Sequence, residues 1–183
     1  WTDLSRSLPA LPAQAMAASG QTLFAGLTQP GQTGGLYRST DNGQRWTPAM
    51  AGLQDLLVDG LFISPNFARD NLILAKTVHG GLHVSSDGGQ IWTPLARLDP
   101  NALFPASSQT AAVAFDGSGL VLAAQSLAGS SGIFSATRQP DGAISAWKQI
   151  LDRPVDLLAL APDGRLALAY GEGLWRSPDG GQT

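Results

Sequence analysis

The sequence predicts an all-β chain of about four repeats, each a small antiparallel sheet of four strands. Three observations carry that prediction. An acidic turn motif recurs: Ser39-Thr40-Asp41-Asn42-Gly43-Gln44-Arg45-Trp46 returns as Ser85-Ser86-Asp87-Gly88-Gly89-Gln90-Ile91-Trp92, and again as Ser177-Pro178-Asp179-Gly180-Gly181-Gln182-Thr183. The tryptophans are regularly spaced, with Trp1, Trp46, Trp92 and Trp147 separated by 45, 46 and 55 residues. With the position following Thr183 lying 37 beyond Trp147, the four intervals average about 46 residues. Finally, 43% hydrophobic and 14% charged residues with 22 Gly and 12 Pro in 183 describe a loop-rich chain, and no stretch carries a sustained helical period.

The motif reads physically as a hairpin turn with its own anchor. Asp or Asn followed by Gly suits a tight two-residue turn, because Gly accepts positive φ and Asp or Asn tolerates it. The carboxylate can accept bonds from turn N–H groups, and the Ser hydroxyl can bond locally as well. The Trp three residues past the last Gly falls on the return strand. Burying roughly 150–250 Å² of indole stabilises by about 4–6 kcal/mol at most.

The elements follow in order. The first repeat (residues 13–50) has β-like runs at 14–19, 22–27, 35–39 and 45–49. The second (55–96) has runs at 56–64, 72–78, 81–85 and 91–95, with 65–71 as a loop. The third (110–151) has runs at 110–115, 120–125, 132–136 and 146–151. The fourth (155–183) has runs at 155–161, 166–170 and 173–177, with residues 1–4 expected to supply its outer strand. Several runs are rich in Leu, Val and Ala with little alternation, as strands packed on both faces are. Residues 100–107 are expected to hold at most a short turn. The third repeat departs from the pattern: Ala136 and Arg138 replace the Ser and Asp, and Gly132 to Trp147 is 15 residues where Gly35 to Trp46 is 11. Its strands are expected to survive without the acidic turn.

The motif resembles the Asp-box, or bacterial neuraminidase repeat, with consensus Ser-X-Asp-X-Gly-X-Thr-Trp. That family includes sialidases, sortilin-type receptors, xyloglucanases and photosystem II assembly factors. The resemblance implies a β-propeller of four-stranded antiparallel blades with Asp-box hairpins. About four blades are present, as a four-bladed ring or as part of a larger propeller. It also implies that the box joins the third and fourth strands of a blade, away from the catalytic face. On that resemblance Ser39, Asp41, Gly43, Trp46, Ser85, Asp87, Gly89, Trp92, Ser177, Asp179, Gly181 and Trp1 are structural. Because the pattern breaks inside a tight hairpin, a portion of a longer array is the expected state. A complete ring and a ring completed by two copies are the alternatives.

Composition narrows the function classes. A net charge of −3 without a basic run argues against nucleic acid as partner. With no Cys, neither a disulfide framework nor a thiolate site is available. No apolar run reaches the length of a membrane span. Residues 1–4 lack the basic and apolar regions of a signal peptide. A bacterial extracellular or cell-envelope location is the expectation that accompanies the resemblance.

Catalytic constellations are not legible. A sialidase would need an arginine cluster and a Tyr–Glu pair, yet only Tyr37 and Tyr170 are present. A glycosidase needs two carboxylates about 5–10 Å apart, and nothing in the spacing of Asp3, Asp55, Asp59, Asp70, Asp99, Asp152, Asp156 and Glu172 singles out a pair. His79 and His83 lie four apart, which suggests metal ligands on a helix. Here they straddle Gly80-Gly81, and His83 takes the place held by Tyr37, Phe134 and Trp175 in the other repeats. Neither cofactor nor metal is expected. The blade end opposite the boxes is the place for a ligand, with Gln29, His79, Gln125, Tyr170 and Glu172 as candidate contacts. The expected function is a non-catalytic binding or scaffolding module for a protein or glycan, with self-association or further blades as other partners. The alternatives are a fragment of a sialidase- or xyloglucanase-like glycosidase, and a photosystem-assembly-factor-like chaperone, whose arginine patch is not evident.

Overall fold

In the computed structural model the described residues are 1–29, 32–95, 110–115, 120–125, 132–137, 139, 145, 147–153, 155–161, 167–171 and 173–179. They form two compact units, Trp1–Pro94 and Leu95–Thr183. Residues 138 and 140–144 of the third repeat and the short turn at 100–107 lie outside the described residues.

The first unit holds two four-stranded antiparallel sheets. Strands β1 (Ala13–Ser19), β2 (Thr22–Gln29), β3 (Gln32–Ser39) and β4 (Thr47–Pro48) run β1-β2-β3-β4. Strands β5 (Val58–Ile63), β6 (Ile73–Thr77), β7 (Gly81–Ser85) and β8 (Thr93–Pro94) repeat that order. The outer strands are shorter than the sequence predicts, two residues each. Proline ends them because it has no N–H to extend a ladder and is confined to edges. Thr47 and Thr93 reinforce the short pairing, each hydroxyl donating to a carbonyl of the neighbouring strand, Arg38 and Val84, at 3.3 Å.

The two sheets bury one core between them. Ala15, Phe24 and Leu36 of the first meet Val58, Ile73 and Ala75 of the second, with Ala49, Phe67 and Trp92 completing the cluster. The predicted loop at 65–71 contains a single helical turn, α1 (Phe67–Asp70). It forms because Ser64 and Asp70 bracket it: the Ser64 hydroxyl donates to Asp70 Oδ2 at 2.7 Å and accepts the Asn66 N–H at 3.0 Å. The turn sets Phe67 edge-on against Phe24, centroids 6.0 Å apart at 88°. Such a contact contributes about 0.5–1.5 kcal/mol beyond the area buried.

Trp92 is also placed differently from the simple hairpin anchor. It is 1% exposed, and its indole N–H donates to the Ala49 carbonyl at 2.9 Å while its backbone N–H donates to Ala51 at 2.8 Å. The indole therefore ties the second sheet to the connector that follows the first. Trp46 makes the corresponding ties to the segment before β1, with Nε1 donating to the Leu4 carbonyl at 2.9 Å and its backbone N–H to Ser7 Oγ at 3.0 Å. This corrects the expectation for residues 1–4, which lie in no strand and serve as the acceptor that the Trp46 indole requires.

The second unit repeats the scheme. Strands β9 (Thr110–Phe115), β10 (Leu120–Gln125), β11 (Gly132–Thr137) and β12 (Lys148–Leu151) form a four-stranded sheet. Strands β13 (Val155–Leu160), β14 (Ala167–Gly171) and β15 (Leu174–Ser177) form a sheet that, among the described residues, has three strands. Ile133 and Val155 form its small core, with Ile150, Leu151, Leu158 and Leu160 packed against them. Among the described residues between β11 and β12, Thr137 N–H donates to Ser145 Oγ, and Ser145 N–H to the Thr137 carbonyl, both at 2.8 Å.

Candidate functional site

Each of the first two sheets presents two ends of contrasting chemistry. At one end lie the acidic turns, beside the turn between the first two strands of the sheet. Asn42 N–H donates to the Gln21 carbonyl at 3.1 Å and Gly88 N–H to that of Asn71 at 3.0 Å. The chain reverses through two successive positive-φ residues, Asn42 (57°) and Gly43 (81°), or Gly88 (77°) and Gly89 (85°). Only Gly and, less readily, Asn adopt that geometry at low cost.

The polar groups of these turns are committed to one another. Ser39 Oγ donates to Asp41 Oδ1 at 2.7 Å and accepts the Gly43 N–H at 2.8 Å, and Asp41 Oδ1 accepts the Arg45 N–H at 2.9 Å. In the second turn Ser85 Oγ donates to Asp87 Oδ1 at 2.7 Å and accepts the Gly89 N–H at 2.8 Å. Asp87 Oδ1 also accepts from the Gln90 and Ile91 amides at 2.9 and 3.1 Å. In the third, Ser177 Oγ donates to Asp179 Oδ1 at 2.6 Å, while Gly181 lies outside the described residues. The Arg45 amide and the Ser39 hydroxyl hold the Asp41 carboxyl below its usual range. Burial pushes the Asp87 carboxyl up, but the Ser85 hydroxyl and the Ile91 and Gln90 amides outweigh it and leave the group lowered.

At the other end of the second sheet, the loop at 77–80 rests on the connector before β5. Asp55 accepts the His79 N–H at 2.7 Å and the Leu57 N–H at 3.0 Å, and its Oδ2 lies 3.5 Å from His79 Nδ1. Val78 N–H donates to the Leu57 carbonyl at 2.9 Å, and Gly80 N–H to Thr77 Oγ1 at 3.1 Å. Burial raises Asp55, but the His79 and Leu57 amides prevail and lower it. The His79 ring is exposed above this anchor. Sequence reasoning placed His79 here but assigned Asp55 no role. The only signal for it was an Asp just ahead of an apolar strand, where a carboxylate can cap the backbone N–H two residues on.

The other candidate contacts are less fully placed. Gln29 ends β2 and pairs with Gln32, Gln125 ends β10 opposite Gly132, and Tyr170 lies in β14 opposite Leu174. The side chains of these three, and Glu172 altogether, lie outside the described residues. Leu27 pairs with Gly35 as Thr77 pairs with Gly81, so Gln29 and His79 stand at equivalent positions in successive sheets. In the second unit the Arg153 guanidinium lies 4.6 Å over the Trp175 ring, a contact with no sequence signal. Among the described residues no group of three or more His, Asp or Glu could hold a metal ion, and no helix is long and apolar enough to cross a membrane.

Comparison with solved structures defines the class. The whole chain superposes on part of an ancestral GH74 enzyme, with a TM-score of 0.68 and 20% identity, and spans 24% of that chain. Over 92% of its length it is similar to the extracellular domain of a hybrid two-component system from B. thetaiotaomicron, with a TM-score of 0.60 and 17% identity, covering 21% of that chain. Over 87% it is similar to the Cps50 (Swd1) β-propeller domain of Myceliophteria thermophila, with a TM-score of 0.55 and 15% identity, covering 49% of that chain. The chain thus spans between about a fifth and a half of these three proteins. At these identities the likeness shows the fold alone, which is of the β-propeller type, built of antiparallel four-stranded sheets. No family model matches the chain, and no curated protein matches it.

Proposed function

We propose that this chain is a non-catalytic binding or scaffolding module of Asp-box propeller repeats, taking a protein or glycan at the loop end that carries His79. The observation that carries this reading is the commitment of the recurrent acids. The Asp41 and Asp87 carboxylates each accept a Ser hydroxyl and backbone N–H groups of their own turns, which suits a clip better than an acid or a base. The recurrent spacing of Ser, Asp and Gly in those turns supports the Asp-box assignment, and an extracellular or envelope location in a bacterium accompanies it. At the opposite end, a half-buried carboxylate holds the backbone amide of His79 beneath its exposed imidazole, an arrangement suited to ligand contact.

A second reading, a fragment of a glycosidase-type propeller, is favoured by the likeness of the whole chain to part of a GH74 enzyme. Catalytic groups would then stand on blades beyond this sequence. One set of measurements separates the two: glycan-array and peptide-array binding, with reducing-sugar release from xyloglucan and free sialic acid release followed in parallel. Binding without hydrolysis, weakened by alanine at Gln29, His79, Gln125, Tyr170 or Glu172, supports the module. Unchanged affinity in all five variants removes the loop-end site, and sugar release overturns the non-catalytic reading.

A further inference from the structure

Beneath the 77–80 loop lies a histidine that ligand contact does not use. His83 sits mid-strand in β7, between Ala75 and Pro94 in the pairing, fully buried, with neither Nδ1 nor Nε2 in a well-formed hydrogen bond, although the Gly81 backbone is near enough to act on the ring. Its equivalents are Tyr37, Phe134 and Trp175, facing Ala25, Ala123 and Ala169 across the ladder as His83 faces Ala75. The position takes a ring in all four sheets. Imidazole fills that space at a desolvation penalty that a phenyl ring does not carry.

Gly80 closes over the ring. A methyl group there would stand 3.2 Å from His83 Cε1, 3.2 Å from the Asp55 β-carbon and 2.7 Å from Thr77 Oγ1. The charged groups around the pocket are few. Asp55, on the connector, acts on the ring and is already engaged by the His79 and Leu57 amides, with His79 Nδ1 beside it. Arg38, on β3, reaches the Gly88 turn at the far end of the sheet. Asp59 and Lys76 are paired with each other at 3.1 Å, and Asp87 is bound within its turn.

We propose that His83 is an acid-sensitive latch on the 77–80 loop: neutral, it lies sealed beneath the closed loop; protonated, it draws Asp55 from the His79 and Leu57 amides and lifts the loop. An imidazolium has two N–H donors to satisfy, and Asp55 is the carboxylate that can serve them. While the loop is closed, Asp55 Oδ1 is held by the Leu57 amide and Oδ2 by the His79 amide. Burial, weakly opposed by the Gly81 backbone and Asp55, holds the imidazole below its ordinary value. The closed state therefore binds the proton less well than the open one. Closure is complete above about pH 6.5 and weakens as pH falls below it. If the loop carries the ligand contact proposed above, affinity for that ligand falls over the same range. This last consequence rests on the proposed function; the latch itself does not.

The test uses the intact chain without ligand. Its two histidines are distinguished in NMR titrations by a His79→Gln variant, and amide-exchange protection factors at Val78, His79 and Gly80 are compared between pH 7.5 and 5. The latch requires His83 to titrate below its ordinary value. It also requires protection at 78–80 to fall by up to about tenfold per pH unit, a loss absent in His83→Phe. Should His83→Phe fail to fold, His83→Leu takes its place. A His83 that titrates at or above its ordinary value, protection independent of pH, or the same loss in the His83 variant overturns the proposal. Because every readout is on the free protein, failure of the ligand reading leaves this test intact.

Discussion

Removing the Ser85 hydroxyl is the sharpest test of the acidic turn. Ser85 is 1% exposed, and its oxygen both donates to Asp87 Oδ1 at 2.7 Å and accepts the Gly89 N–H at 2.8 Å. In Ser85→Ala the carboxylate loses a charge-assisted bond of about 1.5–3 kcal/mol, and the buried Gly89 N–H is left without its acceptor at about 1–3 kcal/mol. These belong to one network and do not add in full, so the expected loss is about 2–4 kcal/mol. Against a typical total of about 5–15 kcal/mol that is a large fraction. Urea unfolding followed by tryptophan fluorescence reads it, since Trp92 passes from 1% exposed to solvent. Ser86→Ala, one residue on at an exposed position, is the control and should stay within about 0.5 kcal/mol of the parent. A Ser85→Ala midpoint equal to that of Ser86→Ala would refute the reasoning and leave the turn held by its glycines and indole alone. Loss of ligand binding without loss of stability would instead make the turn a site.

Other expectations follow from the same geometry. Asp87 has a lowered pKa in the folded state, so its stabilisation is present above about pH 4 and is lost as pH falls through the lowered value. Asp87→Asn should lower stability at pH 7 and flatten the acid limb of an unfolding profile. Gly52 has φ +89°, and a methyl group there would meet the Trp92 carbonyl. Gly52→Ala should therefore cost well over the loss in Gly20→Ala, where φ is +56° with open space around it and only about 1–2 kcal/mol is at stake. Leu157 and Leu174, 65% and 73% exposed on one sheet, mark an apolar face. Leu157→Lys with Leu174→Lys should reduce self-association in sedimentation velocity while leaving the unfolding midpoint near that of the parent.

Much of the architecture was legible in residues 1–183 because two local rules agree. Asp-Asn-Gly and Asp-Gly-Gly admit the positive φ values that a tight reversal needs, and the short Leu/Val/Ala runs on either side suit strands. Tertiary contacts hid the rest. Residues 65–71 read as loop from Pro65, Asn66 and Asn71, yet Phe67 gains a partner in Phe24, 43 residues earlier, and one helical turn forms to deliver it. Trp1-Thr2 carries the same dipeptide as Trp46-Thr47, so pattern alone assigned it an outer strand. The acceptor that the Trp46 indole needs was invisible until Leu4 supplied it. For the candidate site, the sequence could place His79 at a strand end but not the carboxylate beneath it. His79 and His83 suggested a pair by spacing, whereas the ladder sets one in solvent and seals the other in the core.

The reach of Trp92 back to Ala49 has a consequence for how such chains can be cut and copied. A segment trimmed neatly at its own first strand would carry an indole whose acceptor stayed behind on the discarded piece. The smallest portable piece is a sheet together with the connector that precedes it. Tandem duplication or grafting that respects that offset hands every tryptophan a waiting carbonyl, and a cut made at strand boundaries orphans one at each new junction.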